Sequence, residues 1–298
     1  MPPGFFGTRQ IAPGTKVETQ RTQRKRPAIS YLLLCVLSAL CVSILSLNRS
    51  SDANHALAAD EAPPESEKVR QERNQRLDED IARFTAEIDK SRKTVDLYSR
   101  RGDAFFFRGK FAEAVADYEK MVELKPDLDT SHWRKGIAYF YAKQYKDAAH
   151  QFEIYHAFDN VDRENGIWRY LSQTMALGRE KAREGLLKYE KDDREPFPDV
   201  YRLFSGELTG DEVLARIRNA KITPREREQR LFYAELYVGL NDFVEDRKDS
   251  AREHLAQAVK NDWGAKARGG PGYMWHVGRV HYDLLVKDAA EMETESSE

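Results

Sequence analysis

Cysteine is nearly missing from this chain of 298 residues. It has two, Cys35 and Cys41, and both fall in one apolar stretch near the N-terminus. The body that follows therefore has no disulfide, no thiolate zinc site and no cysteine nucleophile. A strong excess of one charge is missing as well: 48 Lys and Arg face 50 Asp and Glu, for a net charge of -2. The balance is uneven. Residues 1–58 hold seven basic side chains against Glu18 and Asp52, which leaves the remainder acidic. An acidic body argues against nucleic acid as the main partner, because phosphate binding needs a basic face.

Catalytic signatures are lacking too. There is no nucleophile elbow, phosphate loop or dinucleotide fingerprint. Gly269-Gly270-Pro271-Gly272 has no Lys-Ser/Thr behind it and reads as a flexible break. His132, His150, His156, His254, His276 and His281 form no His-Glu-x-x-His set and no i, i+4 pair, so they read as packed or surface imidazoles. Asp78-Glu79-Asp80 and Asp192-Asp193 read as solvated faces. No metal, cofactor or catalytic residue is expected.

What the chain does have is a beat. Ala114, Ala148 and Ala182 recur at an even interval of about 34 residues, the length of a common helical repeat. Gly102 and Gly136 stand at one fixed distance ahead of the first two alanines. Tyr118, Phe152 and Leu186 follow one helical turn after each alanine, and Met121, Tyr155 and Tyr189 about two turns after. Such a period marks a helical repeat array, in which each unit buries its apolar face against its neighbours. Gly102, Ala114 and Gly136, Ala148 then sit where paired helices cross, and Tyr118 and Phe152 fill the space beside the crossing. Gly109-Lys110 turns the first pair, and Pro126 ends the unit. These residues resemble the tetratricopeptide repeat (TPR) pattern. The resemblance implies an all-α fold, a TPR-type α-solenoid of antiparallel helix pairs over residues 95–290.

The third unit keeps the beat but loses the motif. Tyr170 stands at the glycine position and Gln173 at an aromatic one, so a bend or a shortened pair is expected around Ala182. Pro198 to Ser205 reads as a short helix. Thr209 with Glu212 is a capping box, and Thr223-Pro224 is a strong helix start. A long helix to about Leu240 follows. Ala251, Leu255 and Ala258 then mimic a second repeat helix after a gap that is one helical turn too long, with an inserted loop around 242–247. Residues 273–287 form a last helix, expected to cap the array, and the acidic tail 291–298 is expected to be disordered.

Ahead of the array, residues 59–94 comprise a linker and a charged amphipathic helix with a stripe of Leu77, Ile81, Phe84 and Ile88, expected to pack on the first repeat. Residues 1–58 combine a basic segment, Arg21, Arg24, Lys25 and Arg26, with the uncharged run 28–47. This pattern sends the following chain across a membrane. Ala56-Leu57-Ala58 offers a cleavage site, which would release the body into the periplasm or outside the cell. A run of this length also suffices for a retained single-pass anchor. Membrane contact is expected only through residues 28–47.

Counting around the first helices of the repeats puts Ser99, Asp103 and Phe106, then Trp133, Ile137 and Phe140 with Tyr141 nearby, on the inner face. The Lys and Asn with which some TPR domains clamp a peptide carboxylate are absent. An aromatic, apolar inner face marks Phe106, Trp133, Ile137, Phe140 and Tyr141 as candidate partner-binding residues. The alternative is that the chain fills this groove itself, with the helix near 73–92 or with its last helix.

From 95 to 285 the order of features resembles the NlpI-type TPR proteins of the bacterial envelope. The carriers are the two clear repeats, Ile167-Trp168-Arg169-Tyr170-Leu171, the proline-containing segment to Val200-Tyr201-Arg202-Leu203-Phe204-Ser205-Gly206, and the late helix pair. The resemblance implies an exported, non-enzymatic, often dimeric scaffold that binds envelope proteases or peptidoglycan hydrolases. A helical hydrolase acting on cell-wall material and a structural subunit of a membrane assembly remain the alternatives.

Overall fold

The computed structural model describes residues 64–191 and 193–296. The basic segment and the apolar run 28–47 lie outside them, as does Asp192. Among the described residues the structure is helical, with no strand, and no helix is long and apolar enough to cross a membrane.

Three helix pairs share one construction: α2 (Val95–Phe107) with α3 (Phe111–Leu124), α4 (Trp133–Tyr141) with α5 (Tyr145–Phe158), and α10 (Pro224–Val244) with α11 (Lys248–Lys260). Each pair turns through three residues, and the middle one is left-handed: Gly109 at φ 79°, Lys143 at 62° and Asp246 at 61°. The amide after it donates to a carbonyl five positions back, Lys110 to Phe105, Gln144 to Tyr139 and Arg247 to Asp242, at 2.8–2.9 Å. This satisfies helix-end carbonyls that would otherwise lack a donor.

At each crossing a glycine lets the partner helix close in. A Cβ on Gly102 would stand 2.7 Å from the Tyr118 ring, one on Gly136 2.7 Å from Phe152, and one on Gly239 2.8 Å from Leu255. Gly239, Ala251 and Leu255 thus repeat the spacing of Gly102, Ala114 and Tyr118. The expected long gap and inserted loop at 242–247 are therefore corrected. Helix α10 continues to Val244, and the buried Asp242 carboxylate accepts from Arg247 and Ser250, which ties the turn down.

The third unit departs from this plan. Helix α6 (Arg163–Leu177) is followed through Gly178 by α7 (Arg179–Glu184), which has only 6 residues. Tyr170 is buried where the glycine would be, and its ring packs edge-on against Phe204. A ring at that position keeps a long partner helix from lying alongside. The close approach moves one turn back, to Gly166, whose missing Cβ leaves room for the hydroxyls of Tyr189 and Tyr201. Ala182 is fully buried, but Leu186 and Tyr189 lie beyond the helix.

Helices α8 (Phe197–Ser205) and α9 (Gly210–Asn219) bridge to α10. The Thr209–Glu212 capping box forms, and Thr223 caps α10 ahead of Pro224. Helix α1 (Glu67–Lys90) packs on α2 through Phe84 and Ile88. The short α12 (Asp262–Lys266) leads to α13 (Gly270–Ser296). The glycine tetrad is thus the start of a helix rather than a break, since only Gly269, at φ 66°, lies outside it. Helix α13 also runs through the expected disordered tail to Ser296. Its last turns gain a Lys287–Glu291 ion pair at 3.5 Å and a bond from Thr294 Oγ1 to the Ala290 carbonyl.

Candidate functional site

The inner face of the array is mostly occupied by the chain itself. Helix α13 packs on α11 and α12 and reaches back to α2. Tyr273 stacks on Phe106 at 5.3 Å and meets Trp133 edge-on at 5.0 Å. His281 Nδ1 and the Tyr141 hydroxyl are 2.9 Å apart. Phe106, Ile137, Phe140 and Tyr141 are core residues, none more than 8% exposed. Phe106 and Tyr141 form an apolar bed for α13 and are closed off by it, while Phe140 packs on Tyr145 and Trp168. The polar inner residues are also engaged: Arg134 donates to Asp103 at 2.7 and 2.8 Å and to Ser99 at 3.0 Å, and Tyr118 donates to Asp103 at 2.6 Å.

Trp133 is the exception among the five aromatic and apolar candidates. It is half-buried, at the junction of two cavities. The larger, about 630 Å³, runs along the 264–272 segment beside Arg134, Arg268 and His276. The smaller, about 320 Å³, is more apolar and is walled by several helices. Trp133 and Ile137 come from α4, Phe152 and Tyr155 from α5, and Tyr233 from α10. Asp162, Glu164, Asn165 and Trp168 come from the first turns of α6, and Pro271 and Met274 of α13 close one side.

The charged wall follows from how α6 begins. Asp162 is its N-cap and accepts from the Glu164 amide at 3.1 Å, while Asp193 accepts from the Arg163 amide at 2.9 Å. Both carboxylates therefore answer the unpaired N–H groups of a helix start. One residue on, Arg194 folds back over this cluster. It donates to Glu164, to Asp193 at 3.3 Å and to Asp162 at 3.5 Å, with its guanidinium 4.3 Å above the Phe197 ring. Glu164 also accepts from the Tyr237 hydroxyl of α10. Three carboxylates thus share one guanidinium. Arg163 turns aside over Tyr189, 5.2 Å from its ring.

Burial raises the Glu164 carboxyl to about 7, with the Asp162 charge adding to the rise and Arg194 opposing it. Its side chain keeps 14% of its surface exposed, so the cavity is not sealed above it. Burial also raises Asp162, against the pull of Arg194. Arg194 is held charged: burial lowers its pKa, but Glu164, Asp162 and Asp193 together outweigh that and raise it. Asn165, 4% exposed, donates to the Phe152 carbonyl at 3.1 Å, and its side chain also lies against the Tyr189 hydroxyl.

Among the sequence candidates, then, Trp133 and Ile137 line this cavity together with Phe152, which the sequence offers only as a repeat filler. Gly102, Ala114, Tyr118, Gly136, Ala148 and Ala182 lie in the buried scaffold. Sequence reasoning missed Asp162, Glu164, Asn165, Arg194 and Tyr233. One readable signal existed: Glu164 and Trp168 are four apart and share a face of a helix.

Comparison with known proteins locates the repeat. Residues 102–141 match the TPR repeat family model, a span from Gly102 in α2 to the end of α4. The chain carries TPR repeats. The TPR-type solenoid extends this unit through α5 and recurs in α10 and α11. A protein SGT1 homolog from Oryza sativa subsp. japonica is 34% identical over 79 residues, which is 26% of this chain and 22% of that relative. The chain thus spans about a fifth of the length of this curated relative. A TPR array points to a protein-binding scaffold.

Proposed function

We propose that this TPR protein is a non-enzymatic adaptor that holds protein partners through the cavity between α4, α5, α6 and α10. One observation carries the reading. Where the array's own last helix covers the inner aromatic stripe, Trp133 is left half-buried at the mouth of a cavity with a charged floor. A half-exposed aromatic beside enclosed polar groups is the kind of anchor that dominates protein interfaces. The expected partners are segments of other proteins, small enough to enter with one or two side chains.

The uncharged run 28–47 behind a basic flank supports export or membrane attachment of this body, as in envelope adaptors of the NlpI type. Envelope proteases and peptidoglycan hydrolases are the partners that this resemblance offers, and self-association into a homodimer is a further expectation from it. Mapping the mature N-terminus and the side of the membrane on which residues 64–296 are cut by added protease tests this part.

The adaptor reading is tested by affinity capture with the full chain and with Trp133→Ala, checked for unchanged melting. Specific partners should be retained by the first and lost by the second. Full retention by the variant would remove the cavity from the interface.

A second reading is favoured by Glu164. A carboxyl raised to about 7 beside a second carboxyl, Asp162, is the kind of pairing that general acid catalysis uses. Hydrolysis of cell-wall peptide or glycan fragments that disappears in Glu164→Gln would overturn the adaptor reading in favour of an enzyme.

A further inference from the structure

We propose that the smaller cavity, of about 320 Å³, receives a cationic side chain, a lysine ammonium or an arginine guanidinium, presented by the partner segment. The inference rests on the reading of this cavity as the partner site and specifies its chemistry.

Four observations converge. First, the lining carries two carboxylates, Asp162 and Glu164, against the single guanidinium of Arg194, and Asp193 stands directly behind them. An entering cation would be attracted and an entering carboxylate repelled. Second, both carboxylates are reachable: the Asp162 side chain keeps 22% of its surface exposed and the Glu164 side chain 14%. Third, the remaining walls carry five aromatic rings, Trp133, Phe152, Tyr155, Trp168 and Tyr233. Ring faces attract cations, and more so where water is excluded. Fourth, the volume lies at the small end of ligand cavities, suited to one long side chain rather than to a helix.

Two further features bear on the charge of the guest. Trp168 Nε1 is a donor without a bond of normal geometry, but it faces the Tyr237 hydroxyl and so makes no case for an anion. The carboxylates are not arranged to close on a metal ion: among the described residues no group of three or more His, Cys, Asp or Glu side chains could hold one. An organic cation with directional N–H groups fits better, because it spreads its contacts over Asp162, Glu164 and the rings.

The test is titration of the full chain with Nα-acetyl-lysine methylamide and Nα-acetyl-arginine methylamide, read by the indole N–H signals of Trp133 and Trp168. The neutral controls are the norleucine and citrulline counterparts, and the acidic control is the glutamate one. At least one cationic probe should give saturable shifts at least tenfold tighter than its neutral isostere. Added salt should weaken it, and Asp162→Asn should weaken it at least tenfold. Asp162 also caps α6, so Trp133→Ala serves as a second variant that leaves the cap intact and should lose the same binding. Neutral probes binding within twofold of the cations, tighter binding of the glutamate probe, or no saturable shift would each overturn the proposal. Trp133-dependent partner capture without any cationic preference would remove the cation and leave the adaptor. Cation binding with no captured partner would do the reverse.

Discussion

The two walls of the cavity are built by opposite rules. On the α4–α5 side the repeat is regular: glycine against aromatic at the crossing, a left-handed residue in the turn, and side chains that fill space. On the α6 side the repeat is broken. Tyr170 occupies the glycine position, the second helix stops at Glu184, and the chain returns as the irregular segment that delivers Asp193 and Arg194. Regularity supplies a stiff, nonpolar wall. Its failure supplies charge, because a helix start and a loop expose backbone donors that attract carboxylates, and the carboxylates attract a guanidinium. In this array, chemistry gathers where the repeat fails.

The largest expected effect breaks the regular wall. Phe152→Ala should cost about 4 kcal/mol of unfolding free energy, and Leu255→Ala about 3 kcal/mol, from lost burial plus the cavity left behind. Urea unfolding measures both. A loss below about 1 kcal/mol at Leu255 would mean that α10 and α11 are not closed as a repeat pair.

Next comes acid. Burial holds His132, His276 and His281 neutral, each with its pKa lowered to about 3. The unfolded chain takes up a proton at each below about pH 6.5, so their contribution is complete above that pH and is lost as pH falls towards 3. Each should cost about 1.4 kcal/mol per pH unit in that window. Melting temperatures between pH 7 and pH 5 check this, and His281→Gln should flatten the slope. Glu164 works in the opposite direction. Its folded pKa is above the unfolded one, so it opposes folding as pH rises from about 4.5 to 7. A melting temperature that climbs steadily on acidification through pH 6 would contradict the histidine assignment.

A sharper probe of the irregular wall is the Glu164 titration itself, followed by carboxyl carbon resonances. Its midpoint should lie at about 7. Arg194→Gln should push it further up and Asp162→Asn should bring it down, each by roughly 1.4 kcal/mol, a tenfold change in proton affinity. Opposite signs would show that Arg194 does not face Glu164.

The smallest effect concerns the turns. Lys143 is exposed and left-handed at φ 62°. Lys143→Gly should stabilise by about 0.5 kcal/mol, the relief of side-chain strain exceeding the added freedom of the unfolded chain. The same change at Asp246 should follow it. Thermal melting suffices, and a destabilisation at Lys143 would argue against the shared turn geometry.

Much of the scaffold is legible in the chain because each helix pair is local: Gly102, Ala114 and Tyr118 meet within a single hairpin, and caps such as Thr209 with Glu212 act within one turn. The α10–α11 pair was legible too, through Gly239, but it lies out of phase with the alanine beat and passes as a long gap. The site was legible only in Trp133 and Ile137. Asp162, Arg194 and Tyr233 come from segments far apart along the chain, and no spacing rule connects a loop residue to a helix start.

The sequence by itself determined an all-α TPR array with two clear repeats and a worn third, since glycine, alanine and aromatic positions at helical spacing leave one way to pack. Only the tertiary structure decided which apolar face stays open. Helix α13 covers Phe106 and Tyr141, as burial of that stripe is worth more inside the molecule than left in water. Its Tyr273 meets Trp133 edge-on, and beside Trp133 the carboxylates and Arg194 line a cavity that Pro271 and Met274 close on one side.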